Sequence, residues 1–235
     1  MHRRRILPSV THFFTKDETM NRALILALTL AGVLCAVTNA AHAQDAKRGS
    51  TKVAMCEGCH QIVGYQTAFP QVYKVPMIAG QDAKYIAAAL RAYRAGDRKQ
   101  TQMRSIASSL SDEDIEDLAA YYTQLGKPAG PVPKAPEKPL PATLQAKAAT
   151  CVACHGANFS TPTDGSIPRL AGQYEDYLYV ALRAYATEGN SHYGRNNALM
   201  APMSKTLTDA DAREMAAYLA SLPGELRFVQ DPRFK

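Results

Sequence analysis

Two copies of the pattern Cys-x-x-Cys-His are the part of this sequence whose residue types and spacing point most directly to chemistry. The copies span residues 56–60 and 151–155 and use four of the five cysteines. Cysteines three apart on a helical turn present both sulfur atoms to one side, where each can bond a vinyl group of one porphyrin. The histidine that follows then lies beneath the iron, so the pattern predicts two covalently attached haem groups. Its members are Cys56, Cys59, His60, Cys151, Cys154 and His155.

Other sites that use paired cysteines do not fit this spacing. A zinc ribbon has its second cysteine pair about 15–20 residues after the first, whereas 91 residues separate Cys59 from Cys151. Structural disulfides would leave the two adjacent histidines unexplained. A thioredoxin-like dithiol would lie in a chain of alternating strands and helices, and this chain has the pattern of helices and loops. We therefore favour haem at both positions.

The N-terminal 43 residues end in the pattern of a cleavable secretory signal. An apolar run follows Arg22, and an Ala-His-Ala cleavage pattern precedes Gln44. The apolar run, about 15 residues, is short for a membrane span. We expect residues 1–43, with Cys35, to be removed and the mature chain to be soluble. Because thioether attachment of haem takes place outside the cytoplasm, the expected compartment is the periplasm.

The formal net charge of +6 belongs partly to this N-terminal segment. Residues 44–235 hold 22 Lys or Arg against 19 Asp or Glu, which leaves a net charge of +3. The propionates of two haem groups would bring the surface close to neutral. No basic run with interleaved aromatic residues is present, so we expect no nucleic-acid partner.

The remainder of the chain is an internal duplication. Residues 75–81 and 167–173 share a Pro-x-x-Ala-Gly-Gln core at an offset of 92, and the haem motifs repeat at an offset of 95. Six prolines between positions 128 and 141 favour an extended, semi-rigid connector. We predict an all-α fold of two domains, residues 44–127 and 142–235, joined by the Pro-rich linker 128–141.

Each half has the pattern of the same three helices. Apolar residues recur with the spacing of one helix face over residues 82–94 and 174–186, and in the first of these we expect Ile86, Ala89, Leu90 and Tyr93 to form the buried face. The last helix of each half begins with a hydroxyl residue and carries an acid three positions later, as in a capping box. These pairs are Ser111 with Asp114 and Thr208 with Asp211.

Methionine is the expected sixth ligand of each iron, opposite His60 in one half and His155 in the other. Met103 and Met200 each stand seven residues before a Leu-[Ser/Thr]-Asp pattern, so they occupy equivalent positions. The other candidates, Met77 and Met203, align with residues that are not methionine. The one further histidine of the mature chain, His192, lies in a five-residue insertion that we interpret as a solvated loop. His/Met ligation fills both axial positions of an iron, which favours one-electron transfer over substrate chemistry.

Three further repeated pairs are candidates for the surroundings of the haem groups. A proline carbonyl in each half can fix the tautomer of the nearby histidine, and a role in shaping the loop stays equally open. An arginine and a tyrosine in each half are candidate donors to propionates, with surface arginine and core tyrosine as alternatives. The residues are Pro76, Pro168, Arg98, Arg195, Tyr85 and Tyr177.

With these motifs in place, residues 45–222 resemble the dihaem class I cytochromes c, specifically the cytochrome c4 family. The resemblance implies two cytochrome c folds facing across a pseudo-twofold axis, with His/Met ligation at both irons. It also implies peripheral membrane association and electron carriage from a quinol-oxidising cytochrome bc complex toward a terminal oxidase. Residues 61–65 depart from the glycine-rich segment that 156–158 matches better, so we expect a different edge, and a different partner, at the first haem.

Three classes of function remain open at this point. The chain has no spare catalytic constellation, which favours an electron carrier with redox proteins as partners and no small-molecule substrate. A dihaem peroxidase or thiosulfate-oxidising enzyme would need one iron with an open position. An electron-accepting subunit of a periplasmic dehydrogenase would need a specific interface with that enzyme.

Overall fold

The computed structural model describes residues 45–126 and 138–230. The predicted signal segment, the predicted first mature residue Gln44 and residues 127–137, which include most of the predicted linker, lie outside these ranges. Within the described ranges, no helix combines the length and the apolar character that crossing a membrane requires.

The first half consists of five helices and one small hairpin. The two strands of the hairpin pair antiparallel, with Gln66 opposite Lys74. The elements are α1 (Ala46–Ser50), α2 (Ala54–His60), β1 (Gln66–Thr67), β2 (Tyr73–Lys74), α3 (Ala83–Ala95), α4 (Thr101–Ser108) and α5 (Asp112–Leu125).

The second half repeats the helix that ends in the haem motif and the three helices that follow it. In the part of the chain that the structure describes, β1 and β2 are the only strands, so the all-α prediction is confirmed. The elements are a 3-10 helix (Ala142–Leu144), α6 (Gln145–His155), α7 (Glu175–Ala186), α8 (Met200–Lys205) and α9 (Asp209–Ala220).

The predicted capping boxes are present at the start of α5 and α9. The side chain of Ser111 accepts from the backbone N–H of Asp114, and the Asp114 carboxylate accepts from the backbone N–H of Ser111. Thr208 and Asp211 repeat this arrangement. Each box pairs backbone donors that a helix start otherwise leaves free, which is why both helices begin where the sequence indicates.

Each half contains its own buried apolar cluster. In the first half, Ile115 and Leu118 of α5 are buried against α3 and α2. In the second half, Met215 and Leu219 of α9 are buried with Leu144 and its neighbours. Two separate cores agree with the prediction of two domains.

Helix α1 lies directly against α5 because of one glycine and one buried carboxylate. A Cβ atom at Gly49 would lie 2.2 Å from the backbone oxygen of Asp117, so the two helices approach more closely than any other residue permits. The Asp117 carboxylate is fully buried and accepts from Arg48 Nε and Lys52 Nζ, at 2.9 Å each. The backbone N–H of Asp45 donates to the same carboxylate at 3.0 Å.

The last described residues return to the first half. The backbone N–H of Arg227 donates to the carbonyl of Ala79 at 2.9 Å. Val229 packs against the apolar cluster of the first half. The end of the chain therefore adds to the first core, although it follows the second half in sequence.

Candidate functional site

The two haem motifs occupy equivalent positions at the ends of two helices. Helix α2 ends at His60 and α6 ends at His155. The cysteines of both motifs form no disulfide, and Cys154 is exposed while the others are partly buried. Burial raises the pKa of the Cys56 thiol to about 11. Free thiols, rather than a disulfide, are the form of cysteine that can add to a vinyl group.

Both histidine rings are oriented by a proline carbonyl. Nδ1 of His60 lies 2.9 Å from the carbonyl oxygen of Pro76, and Nδ1 of His155 lies 2.9 Å from that of Pro168. A carbonyl only accepts, so Nδ1 carries the proton and Nε2 has the free lone pair in each ring. Burial lowers the pKa of both histidines, which favours the neutral ring that binds a metal.

Met103 and Met200 lie in equivalent local structures. Met103 is in the first turn of α4 and Met200 is the first residue of α8, and both are partly buried. The N–H of Met103 donates to Oε1 of Gln100 at 2.6 Å, and the N–H of Met200 donates to Oδ1 of Asn197 at 2.8 Å. Sequence reasoning missed Gln100 and Asn197, although their common offset of 97 was a usable signal.

The remaining candidates for a sixth ligand have other surroundings. The backbone of Met77 is bound by the side chain of Gln173. The side chain of Met203 is 41% exposed. His192 is exposed, as expected for a loop, and its ring makes an edge contact with the ring of Phe69 at 5.8 Å between centroids.

Arg98 and Arg195 lie side by side where the two halves meet. Their backbones form an antiparallel bridge. Nη2 of Arg98 donates to Tyr85 Oη and Nη2 of Arg195 donates to Tyr177 Oη, at 3.1 Å each. Each guanidinium also stacks on two tyrosine rings of its own half, Tyr85 and Tyr93 or Tyr177 and Tyr185.

The charge of these arginines has no acidic partner among the described residues. Arg98 is only 8% exposed, so it is not a surface arginine. Within the described ranges, no carboxylate forms an ion pair with Arg98 or Arg195. A buried cation is costly unless an anion accompanies it. The pair therefore fits an anionic group such as a haem propionate.

Two glutamines connect the halves by a reciprocal set of hydrogen bonds. Nε2 of Gln81 donates to the carbonyl of Arg169 at 3.1 Å, and the N–H of Arg169 donates to Oε1 of Gln81 at 2.9 Å. Gln173 binds the backbone of Met77 in the same way, at 3.0 and 2.8 Å. Both glutamines are 4% exposed. Sequence reasoning used these residues only as repeat markers, and their presence in both copies was the available signal.

Further observations fit a haem in each half. In the described part of the chain, no three His, Cys, Asp or Glu side chains converge as a metal site. A haem does not need such a cluster, because the porphyrin supplies four nitrogen ligands of its own.

Buried polar atoms without a hydrogen-bond partner occur in both halves, namely Gln61 Nε2, Tyr122 Oη and Ser204 Oγ. Leu199, beside Met200, is a large apolar residue that is 79% exposed.

The comparison with known families matches both halves. The family model described as "Cytochrome c" matches residues 46–126 and residues 143–223. These two matches cover most of the described residues, and each contains one haem motif.

Three similar proteins or solved structures each cover more than two thirds of the chain. Cytochrome c4 of Azotobacter vinelandii is 29% identical over 86% of this chain and 100% of that protein. A thiosulfate dehydrogenase electron acceptor of Thiomonas intermedia is 28% identical over 73% of this chain and 80% of that protein. The crystal structure of reduced cytochrome c4 from Pseudomonas stutzeri is 27% identical, with a TM-score of 0.57 over 77% of this chain and 100% of that chain.

Proposed function

The chain belongs to the cytochrome c family as a dihaem electron carrier of the cytochrome c4 group, and on this premise we propose that it relays single electrons between periplasmic respiratory complexes. It carries two covalently bound haem c groups. The observation that supports the proposal is the repetition of the same two local arrangements in both halves. Each half has a histidine whose ring nitrogen binds a proline carbonyl and a methionine whose backbone N–H donates to an amide side chain three residues earlier.

The proposed haem sites follow from this repetition. Cys56 and Cys59 hold the first haem, and Cys151 and Cys154 hold the second. The iron ligands of the first site are His60 and Met103, and those of the second are His155 and Met200. The bound haem supplies a one-electron couple between ferrous and ferric iron.

The residues around each site set the properties of this ferrous/ferric redox couple in four ways. The proline carbonyl holds the proton on Nδ1, so Nε2 would be the nitrogen available to bind the iron. Thioether sulfur favours the ferrous state and raises the reduction potential. Arg98 and Arg195 supply positive charge for the propionates. A histidine and a methionine that both bound the iron would leave it no position for peroxide, oxygen or another substrate.

The interface between the halves supports transfer of an electron from one site to the other. The reciprocal bonds of Gln81 and Gln173 and the bridge between Arg98 and Arg195 hold the halves in one arrangement. A fixed arrangement keeps the distance between two bound haem groups constant. Rigid coupling of this kind is what a carrier with two centres requires.

For the direction of transfer, we propose a quinol-oxidising cytochrome bc complex as donor and a terminal oxidase as acceptor. The chain would be exported by its N-terminal signal and would associate with the membrane only peripherally. The similarity to a thiosulfate dehydrogenase electron acceptor favours a second candidate, the electron-accepting partner of a periplasmic dehydrogenase.

Carbon monoxide binding distinguishes an electron carrier from an enzyme with an open iron position. We expect the fully reduced, haem-loaded protein to bind no carbon monoxide, because methionine occupies the sixth position of each iron. Stoichiometric binding, seen as a change in the Soret band, would instead support a peroxidase or a thiosulfate-oxidising enzyme.

Rapid mixing separates the two candidate donors. The oxidised protein is mixed either with a quinol-reduced cytochrome bc complex or with a thiosulfate dehydrogenase in the presence of thiosulfate. We expect fast reduction, first order in each protein, by the bc complex. Fast reduction by the dehydrogenase alone would favour the second candidate.

A further inference from the structure

Tyr122 places a buried hydroxyl beside the first haem motif. Its side chain lies on α5 within the apolar cluster of the first half, and it is only 2% exposed. Cys56, the first cysteine of the motif, packs against the same cluster. The Tyr122 hydroxyl has no hydrogen-bond partner of normal geometry among the described residues.

The second half carries no hydroxyl at the position equivalent to Tyr122. At the offset of 97 that relates the last helices, the equivalent of Tyr122 is Leu219. Leu219 is likewise buried, 3% exposed, and Cys151 packs against its cluster as Cys56 packs against that of Tyr122. The two positions therefore have the same place in the fold and differ in one polar group.

A buried hydroxyl without a partner is unfavourable, because it has lost its hydrogen bonds to water. Such groups in a native protein call for an explanation, and an adjacent cofactor is one. The Tyr122 hydroxyl faces the sulfur of Cys56, which is a weak acceptor. Once that sulfur is bonded to haem, a hydrogen bond to it acts on the macrocycle as well.

We propose that Tyr122 tunes the first haem alone, by donating a hydrogen bond to the thioether sulfur of Cys56. This inference rests on the proposed attachment of haem at Cys56. The positive end of the O–H dipole points toward the haem and stabilises the state with the added electron. Hydrogen bonds around a cofactor are an established means of setting its potential. Tyr122 therefore raises the reduction potential of the first haem relative to the same site with an apolar residue.

The test compares Tyr122→Phe with the matched control Tyr121→Phe in the haem-loaded protein. Tyr121 is the next residue of α5, and its ring makes an edge contact with that of Tyr122 at 5.1 Å between centroids. Both changes remove one hydroxyl and keep the ring. A redox titration followed through the haem-methyl proton resonances gives the potential of each haem separately, and pyridine haemochrome spectra give the haem content.

We expect Tyr122→Phe to lower the potential of one haem, the first, while the second haem and the Tyr121→Phe protein keep wild-type potentials. Tyr122→Leu, which copies the second half, should shift the same haem in the same direction. An unchanged first potential in both Tyr122 variants, or equal shifts of both haem groups, would overturn the tuning role. Fewer than two haem groups in the wild type would instead overturn the proposed attachment, and the inference with it.

Discussion

Replacement of Gln81 by alanine should loosen the two halves from each other. Gln81 makes two hydrogen bonds to the backbone of Arg169, with its Nε2 donating at 3.1 Å and its Oε1 accepting at 2.9 Å. Its Oε1 also accepts from the backbone N–H of Asp82 at 3.2 Å. In Gln81→Ala the side chain is gone, and the N–H and carbonyl of Arg169 lose their partners in a partly buried place.

The size of the effect follows from those two backbone groups. A buried donor or acceptor that loses its partner costs about 1–3 kcal/mol. Two such groups give roughly 2–6 kcal/mol, and water that enters the space left by the side chain recovers part of it. We therefore expect a loss of about 2–4 kcal/mol in the free energy of unfolding.

Urea unfolding of the haem-loaded protein measures this loss. With a urea dependence of about 2–3 kcal/mol per molar, the midpoint of unfolding should fall by roughly 1–2 M. The matched control is Gln124→Ala, because Gln124 is exposed on α5. A midpoint in Gln81→Ala that equals that of the control would refute the view that this glutamine holds the halves together.

Three further variants test other parts of the structure. The hydrogen bond from Arg48 lowers the pKa of Asp117 well below its usual range, so the carboxylate stabilises the fold at neutral pH and loses this effect progressively as the pH falls from about 4 toward that lowered pKa. Asp117→Asn should thus lower the urea midpoint at pH 7 and by a smaller amount at pH 2, and an equal gap at both values would contradict this. Thr208→Ala removes the cap of α9 and should cost about 1 kcal/mol in thermal unfolding; an unchanged melting temperature would exclude a stabilising cap. Arg98→Gln removes a buried positive charge and should lower one haem potential in spectroelectrochemistry, with the exposed Arg91→Gln as the unshifted control.

The helices were predictable because their signals are local and occur twice. The capping residues at Ser111 and Thr208 fix where α5 and α9 begin, and these helix starts follow the predicted pattern. The buried face of α3 was predicted less well. Ile86 and Tyr93 are buried as expected, but Ala87 is also buried while Leu90 is only partly so. Which residues of α3 are buried depends on how closely the neighbouring helices approach, and the sequence pattern contains little information on that distance.

The contacts between the halves were beyond the reach of sequence reasoning. The repeat identified Gln81 and Gln173 as equivalent residues, but a side chain that binds backbone in the other half leaves no spacing to detect. The same holds for the adjacency of Arg98 and Arg195, which depends on how the halves meet. The hairpin of β1 and β2 follows residues 61–65, the segment that departs from the family pattern, and has no counterpart strands among the described residues of the second half, so the repeat offered no guide to it.

The ligand set of the two irons is tested most directly by the weak near-infrared absorption of sulfur-ligated ferric haem. We expect Met103→Ala and Met200→Ala each to remove about half of that band and the double variant to remove all of it. Met77→Ala and Met203→Ala serve as matched controls and should leave the band intact. A band that persists at full strength in either Met103→Ala or Met200→Ala would contradict the assignment of that methionine to its iron.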